Sequence, residues 1–201
     1  PLKNLVGIPW RVAFALQSDG WILRQDIVWH KPNAMPESIK DRCTKSHEYI
    51  FLLSKKRKYY FDNKAIREKC SEDNVNDYLR RKSMNNKGAD IEGTYCDVRP
   101  DLTRSREDYM PSDFMRNKRS VWSVNTKPYK GSHFASWPTE LIKPCILAGC
   151  PEGGVVLDPF HGTGTTGEVA LKCGAKYVGI ELNPEYIELS RTRMEQRYLF
   201  K

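Results

Sequence analysis

A doubly wound α/β sheet is the fold predicted for this chain of 201 residues, and three features of its C-terminal segment predict it. Gly154-Val-Val-Leu-Asp158 is a short apolar run of the kind that forms a buried strand. His161-Gly-Thr-Gly-Thr-Thr-Gly167 is a glycine-rich turn. Glu168 to Cys173 then reads as a helix ended by Gly174, followed by a second strand, Tyr177-Val-Gly-Ile-Glu181, that closes on an acid. Strand, glycine turn, helix and strand in succession make the first half of a nucleotide-binding unit. Pro184 sits where a first helical turn tolerates proline, so a closing helix is predicted through Arg193.

From the N-terminus, Leu5, Ile8, Val12, Ala15 and Leu16 recur at three- and four-residue spacing, and Gly20 follows where a left-handed cap is needed. That pattern predicts a helix over residues 4–19. Trp21 to Trp29 is aromatic and β-branched, and Lys31-Pro32 stops it, so it reads as a strand. Tyr49-Ile-Phe-Leu-Leu53 and Tyr59-Tyr-Phe61 flank the basic turn Lys55-Lys-Arg-Lys58 and read together as a hairpin. From Asp62 to about Arg119 the apolar content falls, and Gly88, Gly93, Pro100 and Pro111 break any period. This is an insertion, read either as a linker or as a small lobe carrying Tyr78, Leu79, Tyr95, Tyr109, Phe114 and Met115 that orders on a partner. Val121 to Val124 restores a strand. Trp137-Pro138-Thr139-Glu140 opens a helix with Thr139 as a candidate cap and Leu141, Cys145 and Ala148 on one face.

Composition narrows the class. No apolar run approaches the roughly 20 residues that a membrane span needs. The six cysteines form no C-x-x-C pair, so neither a zinc site nor a disulfide framework is favoured, and a reducing cytoplasm is the expected compartment. Residue 1 is Pro, and no leader pattern follows; the expectation is a fragment of a longer chain. The net charge is +8, and residues 1–61 carry most of it, with 11 basic against 5 acidic side chains. A local excess of this kind attracts polyanions through counterion release, so nucleic acid is the leading partner.

Gly162, Gly164 and Gly167 satisfy G-x-G-x-x-G, which raises a dinucleotide site. Against it, Asp158-Pro-Phe-His161 intervenes between strand and glycines, and a carboxylate stands where a diphosphate would lie. Paired carboxylates suit a nucleoside bearing a positive centre instead. Glu181 can accept ribose hydroxyls, Asp158 can hold an ammonium, and bare backbone at Gly162 and Gly164 permits close approach. S-adenosylmethionine meets that description.

With these residues in view, the chain resembles the amino-methylating DNA methyltransferases, the N4-cytosine and N6-adenine family, in the permuted class whose cofactor loop follows the catalytic region. Asp158-Pro-Phe-His-Gly-Thr-Gly-Thr-Thr166 resembles the family's D-P-F-x-G-[ST]-G-T-T cofactor motif, and Gly179-Ile-Glu-Leu-Asn-Pro-Glu-Tyr186 is similar to its ribose-binding segment. Asp26-Ile-Val-Trp-His-Lys-Pro-Asn33, Arg42-x-x-Lys-Ser-His-Glu-Tyr-Ile-Phe51 and His133-Phe-Ala-Ser-Trp-Pro-Thr-Glu-Leu141 follow in the family's order.

The resemblance implies a Rossmann-like S-adenosylmethionine-dependent methyltransferase sheet with an antiparallel hairpin edge and an inserted target-recognition region. It divides the chain into a catalytic-side part (1–63), the insertion (64–119) and a cofactor-binding part (120–201). The Val155 strand is expected in the sheet interior.

The implied reaction transfers a methyl group from S-adenosyl-L-methionine to the exocyclic amine of a base flipped out of double-stranded DNA. Implied cofactor contacts are Asp158, Phe160, Gly162, Gly164, Thr165, Thr166 and Glu181, with His133 and Phe134 from the other cofactor segment. Candidate DNA contacts are Arg42, Lys45 and His47, with Arg116, Lys118 and Arg119 as a phosphate clamp. A homodimer and a cognate restriction endonuclease are further partners that the resemblance raises. The chain departs from the family in one respect. Its 12 prolines include no Pro-Pro pair, so the [S/D/N]-P-P-[Y/F/W] catalytic loop is absent and is expected upstream of Pro1. The rival readings are a DNA-binding module without catalysis, an RNA methyltransferase and, last, an NAD-dependent enzyme.

Overall fold

The computed structural model describes residues 3–85, 114–126 and 137–195. In chain order its elements are α1 (Ile8–Ser18), β1 (Ile22–His30), β2 (His47–Ser54), β3 (Glu68–Lys69), α2 (Glu72–Asn85), β4 (Met115–Arg116), β5 (Val121–Ser123), α3 (Thr139–Gly149), β6 (Val155–Asp158), α4 (Thr165–Lys172), β7 (Lys176–Gly179) and α5 (Pro184–Glu195). The chain forms two compact units, Pro1–Ala65 with Arg119–Lys201, and Ile66–Lys118.

In the first unit β1 is central, antiparallel to β2 and parallel to β5. Side chains alternate across these strands, so each face has its own cover. Trp29 and Ile27 of β1 and Ile50 of β2 face Trp122, Val124 and, from α3, Leu141 and Cys145. On the opposite face Tyr49 and Phe51 meet the Trp10 ring of α1 at 5.4 and 4.9 Å. The indole of Trp29 donates to the Val124 carbonyl at 2.8 Å, and that of Trp122 to the Arg119 carbonyl at 2.7 Å, so neither buried N–H is left unpaired. The other side of α3 belongs to a second core, in which Ile142 and Ile146 pack with Val169, Ala170, Ala175, Val156 and Tyr177. One helix thus joins the two cores.

The hairpin expectation is corrected. β2 pairs along its length with β1, from Ile22↔Ser54 to His30↔His47, and Tyr59–Phe61 is not a strand. Periodicity identifies a strand but not its partner, and β1 offers eight matched positions while Tyr59–Phe61 offers three residues. The tyrosine is used elsewhere: Arg24 Nε donates to Tyr59 Oη at 3.1 Å. The antiparallel edge is therefore present, made by β1 with β2.

Two end effects also differ. α3 starts from Pro138 in extended conformation, and the Thr139 hydroxyl donates to Glu140 Oε2 at 3.2 Å instead of capping the helix. α4 starts at Thr165, a turn ahead of the expected Glu168, because Gly164 at φ 81° takes the left-handed N-cap position.

β6 runs parallel to β7, from Val155↔Lys176 to Asp158↔Gly179, and among the described residues it has no second partner. Val155 and Leu157 are each 60% exposed, where the sequence predicts an interior strand. Apolar residues on both faces write the faces of a strand; they do not specify a neighbour for its edge.

The second unit contains α2 and the short antiparallel pair β3–β4, in which Glu68 faces Arg116. The Arg67 guanidinium donates to the Met115 carbonyl, and Cys70 N–H donates to Phe114 O at 2.9 Å.

Candidate cofactor site

At the carboxyl ends of β6 and β7 a cavity of about 370 Å³ is lined by Trp137, the loop Asp158–Thr163, Thr165, Thr166 and Ile180–Leu182. That size and position suit a small ligand, since open α/β sheets bind at the carboxyl ends of their strands.

The loop is held at several points. Asp158 Oδ1 accepts the Phe160 N–H at 3.0 Å, so this carboxylate caps the turn as well as lining the cavity. His161 N–H donates to the Ile180 carbonyl at 3.0 Å. Glu181 reaches back from the end of the second strand and accepts the Gly162 N–H on Oε2 at 2.7 Å. Its Oε1 accepts the N–H groups of Leu182 and Asn183, each at 2.9 Å. Hydrogen bonds to the charged form favour it, and those from Asn183, Gly162 and Leu182 hold Glu181 below the ordinary carboxylate range. A carboxylate has about four acceptor positions, so three N–H donors leave Glu181 capacity for a ligand hydroxyl.

Behind the loop, Glu168 is buried and pairs with Arg193 and, at 2.9 Å, with Lys172. The Arg193 guanidinium also donates to the Thr165 hydroxyl at 3.1 Å and points to the Thr163 carbonyl at 3.4 Å. α5 thereby grips both the loop and the first turn of α4.

Asp158, Phe160, Gly162, Thr165, Thr166 and Glu181 thus come together around the cavity. Gly164 does not line it; a Cβ there would meet Ser190 at 2.9 Å and the His161 ring at 3.2 Å, behind the loop. Thr165 is buried and engaged by Arg193. His133 and Phe134 lie outside the described residues. Trp137, Pro159, His161, Thr163, Ile180 and Leu182 also line the cavity without having been singled out as ligand contacts. The signal for Leu182 was adjacency to Glu181, and for Trp137 its place just before α3, backed by Trp29 at 5.8 Å between ring centroids.

The candidate DNA contacts are divided between the two units. In the first unit Arg42 pairs with Glu37 at 2.7 Å, Lys45 is exposed, and His47 opens β2 with its ring edge-on to Tyr49 at 5.4 Å. Arg119 is exposed in the same unit. In the second unit Arg116 and Lys118 both approach Glu68, at 3.0 and 4.0 Å. Among the described residues no three His, Cys, Asp or Glu side chains converge as a metal site.

The family model of the N6/N4 DNA methylases matches residues 3–192. The chain belongs to that family. It is 48% identical over 193 residues to the Type II methyltransferase M.Cfr9I of Citrobacter freundii, covering 96% of this chain and 51% of that protein. To M.SmaI of Serratia marcescens it is 45% identical over 195 residues, covering 97% and 54%. The chain therefore spans about half the length of these relatives. Among solved structures, the M1.HpyAVI–SAM complex superposes with a TM-score of 0.58 at 20% identity, over 95% of this chain and 71% of that one. The cytosine-N4-specific PvuII DNA methyltransferase gives 0.62 at 18%, over 94% and 60%. The fold is that of S-adenosylmethionine-dependent DNA methyltransferases, mixed α/β and Rossmann-like. Among the described residues no helix is long and apolar enough to cross a membrane.

Proposed function

We propose that this chain is the cofactor-holding and DNA-facing part of a site-specific DNA amino-methyltransferase, which moves a methyl group from S-adenosylmethionine to the N4 of cytosine or the N6 of adenine in a flipped base. The observation that carries the reading is the pair of carboxylates, Asp158 and Glu181, bracketing one cavity whose backbone is drawn close by Gly162. Both carboxylates suit a ligand with an ammonium and ribose hydroxyls, and neither suits a diphosphate. Glu181 would accept a ribose hydroxyl, Asp158 would hold the ammonium of the methionine part, and Phe160 and Leu182, 88% and 95% exposed, offer apolar surface to the adenine. Bound S-adenosylmethionine supplies an electrophilic methyl on a sulfonium centre.

The chain's own contribution is positioning. An exocyclic amine is a poor nucleophile because its lone pair is delocalised into the ring, and a loop held at Asp158, His161, Gly162 and Thr163 fixes the methyl donor where alignment lowers the barrier. These 201 residues contain no Pro-Pro pair, so no acceptor for the target amine is assigned within them. The insertion serves as the target-recognition region, and Arg42, Lys45, His47, Arg116, Lys118 and Arg119 supply phosphate contacts.

Filter binding of duplex DNA, single-stranded DNA and RNA over a salt series tests the partner. Preference for duplex DNA, with affinity falling steeply as salt rises, is expected. Preference for RNA favours an RNA methyltransferase, and a flat salt response contradicts a phosphate-dominated partner. Transfer from labelled cofactor by residues 1–201 alone is expected near background; robust transfer would mean that the acceptor lies within them after all.

A further inference from the structure

His161 takes the x position of the D-P-F-x-G motif that the loop resembles, yet its side chain turns away from solvent and lies beneath the loop, 9% exposed. Its Nδ1 is 2.6 Å from Tyr177 Oη, and the two rings are tilted at 37° with centroids 5.5 Å apart. The surrounding glycines are shaped to this pair. A Cβ on Gly179 would stand 2.5 Å from His161 Nδ1 and 2.9 Å from Tyr177 Oη. One on Gly164 would stand 3.2 Å from His161 Cε1, and one on Gly167 would stand 2.6 Å from the Tyr177 ring. Glycines that a motif reading assigns to ligand approach thus leave room on the other side, for an imidazole and a phenol.

The pair ties the loop to the second strand at the point where the cofactor carboxylates are presented. The backbone of His161 is bonded to Ile180, and the next N–H, that of Gly162, is bonded to Glu181. Burial, with the Asp158 carboxylate adding to it, pushes the Tyr177 phenol above its ordinary value. The phenol hydroxyl and the imidazole nitrogen are each able to donate or accept, so one hydrogen bond joins them whichever ring nitrogen carries the proton.

We infer that His161 and Tyr177 form a positioning pair for the cofactor: their hydrogen bond sets the loop so that Gly162 N–H meets Glu181 and the carboxylate is aimed at the ribose. This rests on the proposed cofactor site and gives His161, which belongs to the cavity-lining loop, and Tyr177, which does not line the cavity, the part of setting that loop. Loss of the bond lets the Gly162 peptide rotate away from Glu181, and the effect falls on binding beyond any effect on folding.

The test is titration of S-adenosylhomocysteine into the full-length protein carrying His161→Phe, Tyr177→Phe, both together, His161→Asn or His161→Gln, with thermal unfolding of each. The two Phe changes keep ring volume and delete one partner of the bond. Each is expected to weaken binding about tenfold, as loss of one hydrogen bond does. The double variant is expected to resemble either single one, because both remove the same bond. His161→Asn, which keeps an amide near the Nδ1 position, is expected to bind more tightly than His161→Gln, whose amide mimics Nε2. Wild-type affinity in both Phe variants overturns the pair, as does an additive loss of about a hundredfold in the double variant or Gln rescue exceeding that of Asn. Lowered thermal stability with unchanged affinity also overturns it, since that is what purely structural packing predicts. A wild-type protein that binds no S-adenosylhomocysteine would instead overturn the cofactor site itself, and the positioning role with it.

Discussion

Glu181 holds three backbone N–H groups from two segments, so its carboxylate is a latch on the glycine loop, and in the proposed function it also accepts a ribose hydroxyl. Glu181→Ala is expected to weaken cofactor binding by about 1 to 3 kcal/mol, read by titration. The sign of its pH dependence follows from its lowered value. The stabilisation is fully present above the ordinary 4.5 and is lost as pH falls through the lower folded value, so acid unfolding of Glu181→Gln should lack that component. Gly179 is a second residue with a sharp expectation. Its backbone angle does not require glycine, but its missing Cβ is the space His161 fills, so Gly179→Ala should cost about 1 to 3 kcal/mol in denaturant unfolding by overpacking. At this scale the sequence was legible where chemistry is local: Asp158 and Glu181 stand where a strand-end acid must. Gly164 was not, because a glycine that makes room for a ligand and one that makes room for a neighbouring ring look the same in one dimension.

Among the elements, α5 is the one whose part no motif announced. Arg193 reaches from its last turn to buried Glu168 and on to Thr165 and Thr163. Removing Arg193 leaves buried Glu168 with Lys172 as its cation but takes away a charge-assisted bond and the hold on Thr165, so Arg193→Ala should destabilise by about 1 to 3 kcal/mol and loosen the loop. Glu168→Gln with Arg193→Ala should be milder than the single change, checked by a double-mutant cycle in denaturant. Strands and helices were readable from periodicity and stops, as α1 ending before Gly20, β1 before Lys31-Pro32 and α4 before Gly174 show. Pairing was less so. The Tyr49–Leu53 run of β2 is apolar throughout, so nothing in its pattern said whether β1 or Tyr59–Phe61 would take its edge, and the ladder to β1 is the longer one.

For the molecule as a whole, charge and apolar surface point to different things. The basic excess of residues 1–61 is a long-range attraction for a polyanion, independent of which side chains touch it. Leu5, Val155, Leu157, Phe160 and Leu182 are exposed apolar side chains among the described residues. Phe160 and Leu182 line the cavity, and bound cofactor would cover them. The family and the α/β class were written in residues 154–186, as was the glycine loop that lines the cavity. An acceptor for the proposed target amine could not be read, because the catalytic loop that the resemblance implies carries a Pro-Pro pair and these 201 residues contain none. The central claim is that Asp158 and Glu181 hold S-adenosylmethionine, and calorimetric titration of S-adenosylhomocysteine and of NAD into wild-type protein and Glu181→Ala tests it most directly. Binding of the thioether by the wild type, weakened in the variant, with none of NAD is the predicted result. Tight binding of NAD with none of the thioether would contradict it.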